Sequence, residues 1–366
     1  MEQGFNNTLT GSFSGVSIHV RIVYMKRIVT FGEIMLRLKS PGHERLFQSP
    51  LLETSFGGGE ANVAVSLARL GHEAAFVSAV PGDPIGEAAL SALRAQGVDV
   101  SEVKRAQGRL GAYFLETGSD CRPSTVTYDR SGSAMALAVP DDFNWKAILA
   151  GADWFHVTGI TPALSRSAAD IALMAVQAAR AAGVKVSVDL NYRKKLWNYG
   201  AAAPDVMGLF AAQADVVIAN EEDIQLGLGF RVPGVDHGAK LDDGAYKALA
   251  EALVLKHPNI GIVAVTLRES QSADRNDWSA CLLGKDGFRR SRSYELCDIV
   301  DRVGGGDSFA AGLICALLDG LDEAAALEFA VAAAALKHTI PGDWNLVSRA
   351  EVDRLVAGDG TGRVQR

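Results

Sequence analysis

The stretch Asp301-Arg302-Val303-Gly304-Gly305-Gly306-Asp307-Ser308-Phe309 sets three glycines directly before a helix-forming run. Glycine lets the backbone turn tightly and lets a ligand approach bare peptide groups. The first N–H groups of a helix lack intrahelical acceptors, and the helix dipole favours an anion at that end. Asp307 falls in the first turn. Such an acid can simply be a partner of the dipole. It can also be a general base, taking a hydroxyl proton while the amides of Gly304, Gly305 and Gly306 hold charge on a transferring phosphoryl group. Local sequence leaves both readings open.

A second glycine run, Phe56-Gly57-Gly58-Gly59-Glu60-Ala61-Asn62, also leads into a helical pattern. A dinucleotide fingerprint does not fit it, because Asn62 stands at the third glycine position and no clear core strand precedes it. The run is either a tight turn or a loop against which a polar ligand can lie, with the Asn62 amide offering both a donor and an acceptor. No GxxxxGK[ST] loop is present, since Gly284-Lys285 is followed by Asp286. His43-Glu44 and His72-Glu73 both lack the second histidine of a zinc helix.

Around these runs, short apolar segments alternate with helical periods. Strands are expected at Ile28–Phe31, Ala75–Ala79, Trp154–Thr158, Val184–Asp189, Val216–Ala219 and Ile262–Thr266. Helical stripes run through Asn62–Leu70 and Ala168–Ala182, and helices are expected over Asp307–Asp319, Glu323–Lys337 and Ser348–Val356. This alternation implies an α/β fold of three layers, α/β/α, around a mostly parallel sheet. Ile34–Leu38, Arg109–Glu116 and Val126–Tyr128 break the rhythm and read as a small β-sheet lid, drawn from about 33–50 and 109–130. Trp278–Leu283 and Phe288–Tyr294 flank a turn and read as a hairpin. Gly227–Gly244, with five Gly and one Pro, reads as a surface loop. Residues 1–24 read as a loose extension or a start-site artefact, with Met25-Lys26-Arg27 opening straight into the first strand. The main folded unit is then 25–366.

Composition narrows the classes. Among 366 residues, 36 Lys+Arg stand against 43 Asp+Glu, a net charge of −7. That balance argues against a nucleic-acid partner. No stretch of 18 apolar residues exists, since Glu328 interrupts the richest one, so no membrane span is expected. Four cysteines without a CxxC pair suit a reduced, cytoplasmic setting.

The two glycine loops, with Asn62 and Asp307 245 positions apart, resemble the paired signatures of the ribokinase-like (PfkB) carbohydrate kinases. The resemblance runs from about Met25 to the C-terminus. Further strings carry it: Gly32–Leu38, Arg109–Glu116, Arg122-Pro123-Ser124, Tyr128-Asp129-Arg130, Gly159–Leu164 and Asp189-Leu190-Asn191-Tyr192-Arg193. Together they are most similar to the branch that phosphorylates 2-keto-3-deoxygluconate at its 6-hydroxyl. The resemblance implies ATP and Mg²⁺ as cofactors and a small sugar acid as substrate. It implies Asp307 as base and Gly304–Gly306 as anion hole. Gly58, Gly59, Glu60, Ala61 and Asn62 would hold sugar hydroxyls, with Tyr113, Tyr128 and Arg130 contributed by the lid. Asn191 and Arg193 would lie where acid substrate and triphosphate meet. Thr266, Arg268 and Ser270 would approach the nucleotide, and Asp343 would be a late substrate contact.

Asn220-Glu221-Glu222-Asp223 resembles the family's Asn-x-x-Glu element, which acts on the magnesium water shell. Three positions depart from the pattern. Arg302 replaces Thr or Ser and adds a positive charge to the nucleotide loop. Gly305 replaces Ala. Asp223 replaces Glu, so Glu222 is its alternate for the metal. A sugar acid suits Arg130 and Arg193 independently, since arginine binds carboxylates bidentately and stays charged. Both can otherwise be ordinary surface or phosphate-binding residues. Fructokinase-like or ribokinase-like activity, or non-catalytic sugar sensing on the same fold, are the alternatives. Exposed lid edges would allow a homo-oligomer through strand pairing.

Overall fold

The computed structural model describes residues 8–13, 16–21, 25–220, 222–232 and 242–360. With elements numbered along the chain, β1 (Thr8–Phe13) and β2 (Val16–Arg21) pair as an antiparallel hairpin. The other residues of the 1–24 segment lie outside the described residues.

Six parallel strands form the centre of the main sheet, in the order β14 (Ile262–Ser270), β13 (Val216–Ala219), β12 (Lys185–Asp189), β11 (Trp154–Thr158), β3 (Arg27–Phe31) and β6 (Glu73–Val77). Beyond β14 the sheet turns antiparallel through β15 (Asn276–Gly284), which pairs with both β16 (Gly287–Arg290) and β17 (Tyr294–Leu296). β7 (Ala79–Pro81) and β8 (Lys104–Ala106) form a short parallel pair.

Side-chain alternation sends successive residues of each strand to opposite faces. Ile28, Val216 and Ile218 join one buried cluster with α1 (Gly59–Arg69), α2 (Pro84–Ala95), α8 (Gly305–Leu318), α9 (Glu323–Lys337) and α10 (Arg349–Val356). Val29, Val186, Val188 and Val217 join the other, with α3 (Ala134–Leu137), α4 (Trp145–Ile148), α5 (Arg166–Ala181), α6 (Ala203–Ala211) and α7 (Asp243–Lys256). Burial on both faces explains why these strands read as unbroken apolar runs.

Several expectations shift. The strand expected at Ala75–Ala79 starts at Glu73 and stops at Val77. β14 runs past Thr266 to Ser270, because its outer half is the arm of a hairpin with β15. The second glycine run does follow a strand, β5 (Glu53–Gly57), but that strand belongs to the lid. The lid order is β10 (Thr125–Asp129), β9 (Gly111–Glu116), β4 (Met35–Lys39), β5, and all five residues of β10 are exposed at its edge. The expected loop at Gly227–Gly244 gives way to α7 at Asp243, with Asp242 as its N-cap; residues 233–241 lie outside the described residues.

The glycine loop leads into the start of α8, so the packing of α8 positions the site. Leu313 is fully buried there, while Leu255 on α7 is 86% exposed. Leu313→Ala should lower unfolding stability by about 2–5 kcal/mol in a urea titration. Leu255→Ala should stay within about 0.5 kcal/mol of the parent.

Candidate active site

The parallel strands end on one side of the sheet, where α/β folds place ligands. A cleft of about 570 Å³ opens there beneath the lid. Its wall includes Gly58, Gly59 and Asn62 from the second glycine run, Tyr113, Tyr128 and Arg130 from the lid, and Gly304 to Asp307. Asp189, Asn191, Arg193, Asn220, Glu222, Asp223, Thr266, Arg268, Arg302 and Asp343 complete much of the rest. Sequence spacing alone could not show that these segments converge.

The two glycine loops meet through one bond. Asn62 Nδ2 donates to Asp307 Oδ2 at 2.7 Å, while Asn62 Oδ1 accepts the Gly58 N–H at 3.2 Å. Burial pushes the Asp307 carboxyl up to about 7, against the pull of the Asn62 hydrogen bond, with Asp343 and Glu60 raising it further. Asp307 is therefore a proton acceptor poised near neutrality.

Gly304 caps α8 with φ of +82°, and a Cβ there would meet the Asp343 carbonyl oxygen at 2.0 Å. Only glycine fits. Gly305 lies against the His338 ring, where an added Cβ would come within 2.7 Å of Cε1. The Gly305 N–H donates to the Arg302 carbonyl at 3.4 Å, which leaves the following amides of the first turn as the better anion donors.

Some expected contacts are corrected. Glu60 lines the cleft, but its Oε1 is engaged by the protein, accepting from Thr158 N–H and Oγ1 at 2.9 Å each and from Thr161 Oγ1 at 2.7 Å. Ala61 is packed in the core and is not part of the cleft wall. Ser270 sits far along the β14 hairpin arm, exposed and away from that wall. Arg130 lines the cleft, but its Nε and Nη2 both bind Glu33 Oε2, so its charge is shared. Arg302 likewise directs Nη2 to the carbonyls of Ser272 and Ala273, tying the nucleotide loop to the β14–β15 turn.

Asp223 accepts the Tyr192 N–H at 2.8 Å on Oδ1 and the Asn220 N–H at 2.9 Å on Oδ2. It shapes the loop rather than presenting a bare carboxylate. Glu222 is exposed at the cleft, and Glu221 lies outside the described residues.

Sequence reasoning gave no role to Asp189, Glu33 or Arg37. Asp189 ends β12 inside the cleft, and burial raises its carboxyl well above the usual range, with Asp223 and Asp307 adding to the effect. Its position at a strand end was the available signal. Asn191 adopts φ of +35°, and its buried Oδ1 has no protein partner among the described residues. That orphan acceptor, Asp189 and Glu222 are oxygen donors of the kind a hydrated Mg²⁺ takes. The helix start, Arg268 and Arg193 suit a polyphosphate. The residues present fit both groups.

Among the described residues one cluster has metal-like spacing, His72, Cys315 and Asp319, on the far side of α8. Arg349 already contacts both Asp319 and Cys315, supplying the cation there.

Fold and cleft together define an α/β protein with a glycine-loaded helix start opening into a cleft under a β lid. The pfkB family carbohydrate kinase pattern matches residues 25–346. The chain belongs to this family and is a sugar kinase. The 2-dehydro-3-deoxygalactonokinase of Haloferax volcanii is 35% identical over 335 residues, covering 92% of this chain and 98% of that protein. The crystal structure of 2-dehydro-3-deoxygluconokinase from Thermotoga maritima is 46% identical, with a TM-score of 0.85 over 91% of this chain and all of the other. A putative ribokinase II from E. coli in complex with ATP and Mg²⁺ is 21% identical with a TM-score of 0.74, over 91% of this chain and 99% of that one, a likeness of fold alone. No helix among the described residues is long and apolar enough to cross a membrane.

The raised Asp307 carboxyl has a consequence for stability. Its folded pKa, about 7, lies above the ordinary aspartate value of about 3.9 in the unfolded chain. Its contribution to stability is therefore full below pH ~4 and is lost as pH rises through ~7. Asp307→Asn should melt higher than the parent at pH 8, and thermal melts should show this gain shrinking towards pH 5.

Proposed function

We propose that the chain transfers the γ-phosphoryl group of ATP to the 6-hydroxyl of 2-keto-3-deoxygluconate. The observation that carries this reading is the buried Asp307, bonded to Asn62 and set at the glycine-loaded start of α8. The sugar's terminal hydroxyl gives its proton to Asp307 and attacks the γ-phosphorus in line. The bond to the β-phosphate oxygen breaks, and ADP leaves. The amides at the start of α8 hold charge on the transferring group. Mg²⁺, when bound, neutralises phosphate charge and orients the leaving group; Asp189, Asn191 and Glu222 are the residues suited to hold its shell. Thr266, Arg268 and Arg302 border the nucleotide end. The lid side chains Tyr113 and Tyr128 and the Glu33-paired Arg130 close over the sugar and exclude water, which limits wasteful hydrolysis.

Arg193 supports an acid substrate. It is exposed at the cleft, and its Nη1 donates to the Tyr192 carbonyl at 3.1 Å. Arg130 keeps Nη1 for a ligand. A carboxylate at one end of the substrate and a hydroxyl at the other match that layout. The relative from Haloferax volcanii, named a 2-dehydro-3-deoxygalactonokinase, favours a second reading, the C4-epimeric acid as substrate.

A panel with coupled ADP detection tests the substrate. It holds both 2-keto-3-deoxy acids, fructose and ribose. A 2-keto-3-deoxy acid should give the highest kcat/KM, and a neutral sugar in first place would overturn the assignment. Asp307→Asn should reduce kcat by about 10²–10⁴ while ligand binding measured by calorimetry stays near that of the parent. The base must be ionised, so log kcat/KM of the parent should fall with unit slope as pH drops below about 7.

A further inference from the structure

Arg37 lies on lid strand β4 yet is 1% exposed, among the largest side chains that are fully buried. Its guanidinium meets two carboxylates from separate segments. Nη1 donates to Asp343 Oδ1 at 2.5 Å, and Nη2 donates to Asp301 Oδ2. Each partner touches the reaction machinery from a different side.

Asp301 stands just before the glycine loop. Its Oδ1 accepts the Val303 N–H at 3.1 Å, and its Oδ2 accepts the Gly342 N–H at 3.1 Å. It thus fixes both the turn into the loop and the segment that delivers Asp343. Asp343 lines the cleft, and its Oδ1 also accepts the Tyr113 hydroxyl at 2.6 Å. Tyr113 is the register partner of Arg37 across the β4–β9 ladder. The Asp343 main chain presses on the loop as well, since its carbonyl fills the space of a Cβ at Gly304. Asp343 Oδ2 lies against Gly57, where a Cβ would come within 2.0 Å. One guanidinium therefore reaches the lid, the sugar wall and the anchor of the anion hole.

We propose that Arg37 is a positioning residue for the reaction, locking the cleft-facing Asp343 carboxylate and the loop anchor Asp301 into one unit under the lid. The proposal rests on the sugar-kinase reading of the cleft. A planar guanidinium can span two carboxylates, whereas a lysine ammonium acts as a single point charge on a shorter fork-free stem. Lys337 cannot take over, because its Nζ is held by the carbonyls of Asp301 and Ile340. A buried ion pair by itself says little about stability, so the readout must be kinetic.

Arg37→Met, Arg37→Lys and Asp301→Asn should be compared with the parent at a temperature well below each variant's melting point. The sugar is whichever compound the parent phosphorylates best. The KM for that sugar should rise more than threefold, of the order of tenfold, the effect of losing a charge-assisted hydrogen bond at an oriented carboxylate. The KM for ATP should stay within threefold, and Arg37→Lys should be as impaired as Arg37→Met. A purely structural role would lower the melting temperature and leave the sugar KM alone. A sugar KM within threefold of the parent in the folded variants, or rescue by lysine, overturns the proposal, as does failure of all three variants to fold. A parent inactive on every sugar would instead bring down the functional reading, and the proposal with it.

Discussion

Burying carboxylates is the central constraint on this cleft. Glu60, Asp189, Asp307 and Asp343 are each buried at its floor or wall, along with the adjoining Asp301. Removing a charge from water is costly unless hydrogen bonds or an opposite charge compensate. The surrounding structure can be understood as a way of sorting these acids into different states. Glu60 is satisfied by hydroxyls and an amide from Thr158 and Thr161. Asp301 and Asp343 share Arg37. Asp307 receives the neutral amide of Asn62.

That asymmetry separates two chemical roles. A carboxylate paired with a guanidinium keeps its charge and its orientation and is a poor proton acceptor. A buried carboxylate held by one neutral donor has a raised proton affinity and can take a proton near neutral pH. Burial leaves the Asp343 carboxyl raised on balance, with Arg37 and Tyr113 pulling against it. On the proposed reading the two aspartates have different tasks, Asp343 to hold and Asp307 to react. The negative charge of Asp343 also raises the Asp307 pKa, so the holding residue tunes the reacting one.

Much of the fold was legible because its signals are local. β11 and β13 occupy the spans expected from their apolar runs, and α9 the span expected from its helical pattern. α8 follows from glycine chemistry and helix periodicity within a dozen residues. The helix α2 carries its own signals, Asp83 as cap and Pro84 at the first turn, and it was still missed among Ala-rich residues. In the site, the glycine loops and Asp307 were legible because their residue types are unusual in series. Arg37 was not. Its partners lie 264 and 306 positions away, and nothing in Met-Leu-Arg-Leu-Lys separates a buried arginine from an exposed one on a lid strand. The contacts of Glu60 were hidden for the same reason: its Oε1 is taken by Thr158 and Thr161, which lie 98 and 101 positions away.

The same charge sorting bears on how a doubly functional substrate would be oriented. On the proposed reading, both reactants are anions entering a cleft with an acidic floor. The available cations stand at its margins: Arg193, Arg268 and Arg302, with Arg130 half-neutralised by Glu33. A sugar acid carries its carboxylate at one end and its terminal hydroxyl at the other. Repulsion from Asp307, Asp343 and Asp189 drives the carboxylate outward to the arginines, which leaves the hydroxyl end inward, facing the base. The triphosphate is excluded from the acidic floor by the same field and is drawn instead to the amides at the start of α8. Orientation of both reactants then follows from where the protein sets its acids and its arginines, and a neutral sugar would enter without that guidance.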